Sequence, residues 1–373
     1  MSSILSLTRP TQAVASRARK PPRIVVSLLG TGQVGGALLR QLAEQGGFAA
    51  PRLVALANSR RALAAPDGIA PADALSRLWD EGGNPGLEAP LAAVTNTAAD
   101  VRVMVDATAA QEVAAQHPRW LSRGVHVVSA NKLALGGALA DWDALQAAAE
   151  AAGTHYGDAA TVGAGLPALS TLRRLTRAGD TLIALTGVFS GSLSFLFNAY
   201  DGRRPFSSLL AEARARGYTE PDPRADLSGR DVARKLLIVA RVAGRPLEEG
   251  DIDVEDLVPP PLRDIPLDAF LDRLGELDEI LERRRCVAAA TGQVLRYVAR
   301  LREGALATVR LEALPPDHPC AQLSGADNLF AFTTRRYHAQ PLVVRGPGAG
   351  PEVTAQALLA DVFEIARQAA TRA

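Results

Sequence analysis

Residues 23–45 read RIVVSLLGTGQVGGALLRQLAEQ. After Arg23 the opening run is apolar, broken only by Ser27, and does not alternate, which predicts a parallel strand covered on both faces. It stops at Gly30-Thr31-Gly32-Gln33-Val34-Gly35, and ALLRQLAEQ beyond has the apolar period of a helix. Strand, glycine turn and helix in that order bring backbone close to a pyrophosphate and rest it on the helix N-terminus. Gly30, Gly32 and Gly35, with Gln33 and Val34 between them, are therefore candidate dinucleotide contacts. The fold class is α/β, a Rossmann-type dinucleotide-binding domain.

Working outward, a second strand over Arg52–Ala57 ends where an acid would meet a bare ribose. Asn58, Ser59, Arg60 and Arg61 stand there instead, an amide, a hydroxyl and two guanidiniums suited to a 2′-phosphate. NADP(H) is favoured, NAD(H) stays open, and a solvated arginine pair is the alternative. VRVMVDAT (101–108) and GVHVVSANK (124–132) read as further core strands whose carboxyl ends bring Asp106, Thr108, Ser129 and Lys132 to the crevice where ligands of such sheets collect. The nucleotide domain is expected over 23–152. Residues 1–22 carry Arg9, Arg17, Arg19 and Lys20 with no acid, and read as a flexible basic arm or a transit segment.

A second charged stretch is TEPDPRADLSGRDVARK (219–235). Pro221 and Pro223 bar helix through its start, and Asp226 or Ser228 is expected to cap the helix that follows. Asp231 and Lys235 stand at i and i+4 on one face, and the apolar Leu236–Val239 places the pair at the edge of a buried helix. Desolvation lowers a lysine's pKa and a neighbouring carboxylate raises it, the tuning that a proton donor near neutral pH needs. The bland alternative is a solvated surface pair.

From Glu220 to Lys235 the chain resembles the homoserine dehydrogenases, and the likeness continues in ALANS (55–59), SANK (129–132), ATVGAGLP (160–167), GVFSGSLSFLFN (187–198) and RGPGAGPEVTA (345–355). The resemblance implies reversible NAD(P)H-dependent reduction of aspartate 4-semialdehyde to homoserine in threonine, methionine and isoleucine biosynthesis. It implies Lys235 as proton shuttle and Lys132 as second ammonium at the reacting oxygen. Asp231 would orient Lys235, and Glu220, Asp226, Asp231, Ser192 and Tyr218 would surround the substrate. Gly350 would meet the nicotinamide, and the carbonyls of Val162, Ala164 and Leu166 would bind a monovalent cation such as sodium, although the family's Glu before that motif is replaced by Ala159 or Ala160. A hinge is the other reading of that loop. A homodimer is also implied, as is a chain with no kinase or trailing regulatory domain.

From about residue 180, TLIALTGVF, VLRYVARL, ATVRLEAL and NLFAFTTRRY suit an antiparallel sheet, giving an α+β substrate and dimerisation domain over 153–340 before 341–373 returns to the nucleotide domain. With 41 Lys plus Arg against 40 Asp plus Glu, net +1, there is no footprint for nucleic acid. No run approaches a membrane span. Cys286 and Cys320 form no metal or disulfide spacing, which fits a soluble, cytoplasmic protein, and neither they nor the five histidines (His117, His126, His155, His318, His338) show metal or triad spacing. The rivals are a nucleotide sensor without chemistry and a dehydrogenase for another small amino-acid semialdehyde.

Overall fold

The computed structural model describes residues 21–45 and 50–372, so all but Pro21 and Pro22 of the expected basic arm lies outside the described residues. The opening stretch forms β1 (Ile24–Leu29), and β2 (Arg52–Ala57), β3 (Ala62–Ala64), β4 (Val101–Asp106), β5 (His126–Ser129) and β6 (Tyr156–Gly157) join it in the order β3-β2-β1-β4-β5-β6. All neighbours are parallel except β3, which runs against β2. The unbroken apolar run of β1 has a simple cause. Ile24, Val26 and Leu28 point into one core with Leu38, Leu39 and Leu42 of the Gln33–Glu44 helix, while Val25 and Leu29 point into another with Val54, Met104 and Trp120.

The C-terminal helix, Pro351–Arg372, supplies Leu358, Leu359 and Val362 to the first of these cores. Each such side chain, fully buried, contributes roughly 1.5–3 kcal/mol. Arg40 and Gln41 clasp Glu352 at 2.6 and 3.2 Å, so the chain's end is pinned beside its first helix.

The second sheet comprises β7 (Leu182–Val188), β8 (Ile252–Val254), β9 (Val294–Arg302), β10 (Ala307–Leu314), β11 (Asp327–Thr334) and β12 (Leu342–Pro347), ordered β12-β11-β7-β9-β10-β8. It is antiparallel except for β8 beside β10. Two boundaries move. Tyr156–Gly157 still pairs with β5, so the first domain runs past residue 152, and β12 pairs with β11, so the return to the nucleotide domain begins after Pro347. No described helix is long and apolar enough to cross a membrane.

The charged helix spans Arg230–Val242, but neither Asp226 nor Ser228 caps it. Asp226 lies in a preceding single-turn helix, Arg224–Leu227, and the N-cap is Gly229 at φ 71°. That left-handed residue reverses the chain between the two helices, and a Cβ there would lie 1.9 Å from the Tyr297 hydroxyl.

Candidate functional site

The carboxyl edges of β1, β4 and β5 open onto a cleft of about 930 Å³, roofed by the Ser190–Ser192 and Gly217–Glu220 segments and closed at one end by Pro347–Pro351. On the nucleotide side, a Cβ on Gly35 would come within 1.9 Å of the Gly30 carbonyl oxygen, so only glycine lets helix and strand meet at this turn. The Gln33–Glu44 helix begins at Gly32 with no side-chain cap and no acid in its first turn, which leaves its N–H groups for an anion. These features fit a dinucleotide pyrophosphate. Gln33, Val34, Thr108, Lys132 and Gly350 line the cleft.

Other expected contacts lie elsewhere. Ser129 is fully buried and spends its hydroxyl on the Asn131 backbone, so it holds the loop and does not touch the cleft. Asn58 donates to the Thr31 hydroxyl at 2.9 Å and accepts from the Arg60 and Arg61 backbones, shaping the turn after β2. Arg61 lies over the Trp79 ring at 5.0 Å and donates to the Gly82 carbonyl at 3.1 Å, whereas Arg60, like Ser59, is exposed. Of the two guanidiniums, Arg60 is free to reach a phosphate.

The charged centre sits where the two domains meet. Asp231 takes Lys235 Nζ on Oδ2 at 2.7 Å and Lys132 Nζ on Oδ1 at 3.4 Å. One lysine comes from the helix of the second domain and the other from the end of β5, so a single carboxylate gathers two ammoniums from opposite walls. Burial alone would raise the Asp231 pKa, but Lys235 and then Lys132 outweigh it and hold the acid well below the usual carboxylate range. Lys235 is 8% exposed and also donates to the Phe189 carbonyl at 2.8 Å. An ammonium has three N–H groups; Asp231 and Phe189 use two, which leaves one for the cleft that Lys235 lines.

Opposite this pair, the Ser192 hydroxyl lies 2.7 Å from both the Tyr218 carbonyl and Asp226 Oδ1, and Asp226 Oδ2 accepts the Glu220 N–H at 2.8 Å. Burial raises the Asp226 pKa, with nearby Glu220 and Asp231 adding to the effect. Glu220 and Tyr218 are exposed at the rim. The 162–166 loop turns through Gly163 and Ala164 at φ 78° and 52°. Ala164 lines the cleft, Val162 is buried, and the Leu166 carbonyl already accepts the Ala168 N–H at 2.8 Å. Asp158, upstream of the loop, is taken by the forked guanidinium of Arg173.

Sequence reasoning missed two features. The Phe189 carbonyl carries no residue-type signal, since any residue could supply it. Behind the cleft, Asp106, His117, Asn131 and Tyr156 form a buried network whose members come from β4, the helix His117–Ser122, the loop after β5, and β6. Spacing along the chain gives no sign of it.

Two family models match: one described as homoserine dehydrogenase over residues 167–363, the other as the NAD binding domain of homoserine dehydrogenase over 30–157. A chloroplastic bifunctional aspartokinase/homoserine dehydrogenase 2 of Zea mays is 43% identical over 355 residues, covering 92% of this chain and 38% of the relative. The chain thus spans well under half the length of that protein. A homoserine dehydrogenase of Paracoccidioides brasiliensis is 37% identical over 367 residues, covering 92% of this chain and 97% of the relative. Among solved structures, a Candida auris protein of unknown function superposes with a TM-score of 0.87 at 33% identity, covering 93% and 99% of the two chains.

Proposed function

The chain belongs to the homoserine dehydrogenase family, and on that premise we propose that it interconverts L-aspartate 4-semialdehyde and L-homoserine with a nicotinamide dinucleotide. The observation that carries this reading is the third N–H of Lys235, facing a cleft whose other end fits a pyrophosphate. When bound, the dinucleotide supplies or accepts the hydride.

The chain's own residues do the rest. Lys235 donates a hydrogen bond to the substrate oxygen and passes it a proton as negative charge develops during reduction; in oxidation it takes that proton back. Lys132 adds a second positive charge at the same place. Asp231 holds both ammoniums and keeps them from drifting. Glu220 and Asp226, across the cleft, offer acceptors to the substrate's α-ammonium, with Ser192 and Tyr218 framing them. NADP(H) is the favoured cofactor because the neutral Asn58 follows β2 where a ribose acid would otherwise stand, and Arg60, exposed two residues on, is free for a 2′-phosphate. A sodium ion at the 162–166 loop would rest on backbone carbonyls without a carboxylate, and the half-open edge strand β12 supports pairing with a second copy.

Purified protein mixed with homoserine and NADP⁺ should produce reduced cofactor, and aspartate semialdehyde with NADPH should consume it. Turnover with another hydroxy amino acid and none with homoserine would replace this substrate assignment.

A further inference from the structure

The network behind the cleft leads from a wholly buried histidine to the second catalytic lysine. His117 and Asp106 are both 0% exposed, and His117 Nε2 lies 3.0 Å from Asp106 Oδ2. Asp106 only accepts here: its Oδ1 takes the Thr108 N–H at 2.8 Å and the Thr108 hydroxyl at 2.6 Å, and its Oδ2 takes Asn131 Nδ2 at 3.0 Å as well as His117. Nε2 therefore carries a proton that it donates to Asp106, and Nδ1 pairs with the Tyr156 hydroxyl at 3.0 Å. Burial raises the Tyr156 pKa, so that hydroxyl keeps its proton. Asn131 then brackets Lys132. Its Nδ2 also donates to the Ala110 carbonyl at 2.9 Å, and its Oδ1 accepts the Leu133 N–H at 3.0 Å, so the residues on either side of Lys132 are tied to one amide.

We propose that His117 is a positioning residue for Lys132: Tyr156 and His117 fix Asp106, Asp106 fixes Asn131, and Asn131 sets the backbone from which the Lys132 ammonium reaches Asp231. The same carboxylate takes the Thr108 N–H and hydroxyl on Oδ1, the oxygen His117 does not touch, so Thr108 keeps its partner when the imidazole is removed and the effect falls on the Asn131 side. Without the Nε2 donor, Oδ2 loses one of its two partners inside an enclosed site, and Asn131 gains freedom to swing toward Asp106. The inference rests on Lys132 taking part in the reaction proposed above, and the test separates the two.

The experiment is a double-mutant cycle on the full chain, reading kcat for homoserine oxidation, KM for NADP⁺ and thermal stability in His117→Leu, His117→Gln, Lys132→Ala and H117L/K132A. His117→Leu should lose about ten- to a hundredfold in kcat, the scale of misplacing a catalytic group by up to an ångström, with KM for NADP⁺ little changed. His117→Gln, whose amide restores a donor to Asp106, should recover most of that loss. In the K132A background the leucine should cost nothing further, because its effect runs through Lys132. Multiplicative losses in the double variant, equal losses in the Leu and Gln variants, or wild-type kcat in H117L would overturn the proposal. Wild-type kcat in K132A would instead remove Lys132 from the reaction. Should H117L yield no soluble protein, Asn131→Ala carries the same cycle, since it cuts the chain between Asp106 and Lys132, and multiplicative losses there would equally overturn it.

Discussion

Replacing Lys235 by Met tests the charged centre most directly. The side chain is 11% exposed, and its stem packs in a helix whose next turn, Leu236–Val239, is wholly buried. Methionine keeps the length and most of the apolar contact, so the fold should survive. The substitution removes the ammonium 2.7 Å from Asp231 and the donor 2.8 Å from the Phe189 carbonyl, together with the N–H that faces the cleft. Leaving the Phe189 carbonyl without a partner costs about 1–3 kcal/mol of stability, offset by no longer burying a charge. Catalysis has no such offset. Loss of a general acid lowers kcat by about 10²- to 10⁴-fold, and the lower end is expected because Lys132 remains at Asp231; that is about 2.7 kcal/mol of barrier. The assay is steady-state homoserine oxidation alongside dinucleotide binding by fluorescence, which should stay near wild type because Lys235 lies at the substrate end. A K235M protein with kcat within about threefold of wild type would refute the assignment of Lys235 as proton carrier.

Arg60→Ala should raise KM for NADPH about tenfold or more and leave that for NADH alone, as loss of one charge-assisted phosphate contact implies, while Arg61→Ala, already tied to Trp79 and Gly82, should do less; paired KM measurements with both cofactors check this. Gly229→Ala should cost about 2–4 kcal/mol in a urea unfolding series, combining a left-handed alanine with a Cβ driven into the Tyr297 hydroxyl. Asp361 faces Asp158, Arg173 and Glu364, and burial, then Asp158, pushes its pKa up to about 7. Because the folded value exceeds the unfolded one, the folded state holds a proton that the unfolded state has released, and stability falls as pH rises from about 4 to 7. Asp361→Asn, whose amide oxygen can still accept the Ala159 N–H, should therefore raise Tm at pH well above 7 and give little gain near pH 5; a Tm series against pH in both proteins tests the sign.

How much of this was legible in the sequence depends on the distance over which the cause acts. The β1 run, its glycine turn and the helix beyond are local patterns, and the Asp231–Lys235 pair is one helical turn, so both were readable from the residues. The strands β3, β6 and β8 have three, two and three residues, too few to display a period, and each is defined only by the neighbour that pairs with it. The helix start was misread for a physical reason: Asp226 and Ser228 have the chemistry of caps, but packing against Tyr297 demands a left-handed glycine between the two helices, and that demand is tertiary. Lys132 and Asp231 meet across the domain boundary, a contact that no local pattern shows; the family likeness places Lys132 near the reacting oxygen but pairs Asp231 with Lys235 alone.

The same distinction explains why Asp231 is the pivot of the site. Two ammoniums and one carboxylate leave the cluster with a net positive charge, and in the proposed reduction the substrate oxygen would gain its negative charge beside it. An ammonium free to turn would have to reorient as that charge appeared. Lys235 is fixed by Asp231 and the Phe189 carbonyl, which leaves one N–H for the cleft. The helix contributes Lys235 Nζ and both Asp231 oxygens, the end of β7 the Phe189 carbonyl oxygen, and the loop after β5 Lys132 Nζ. A local pattern can supply the pair, but only the fold can aim it.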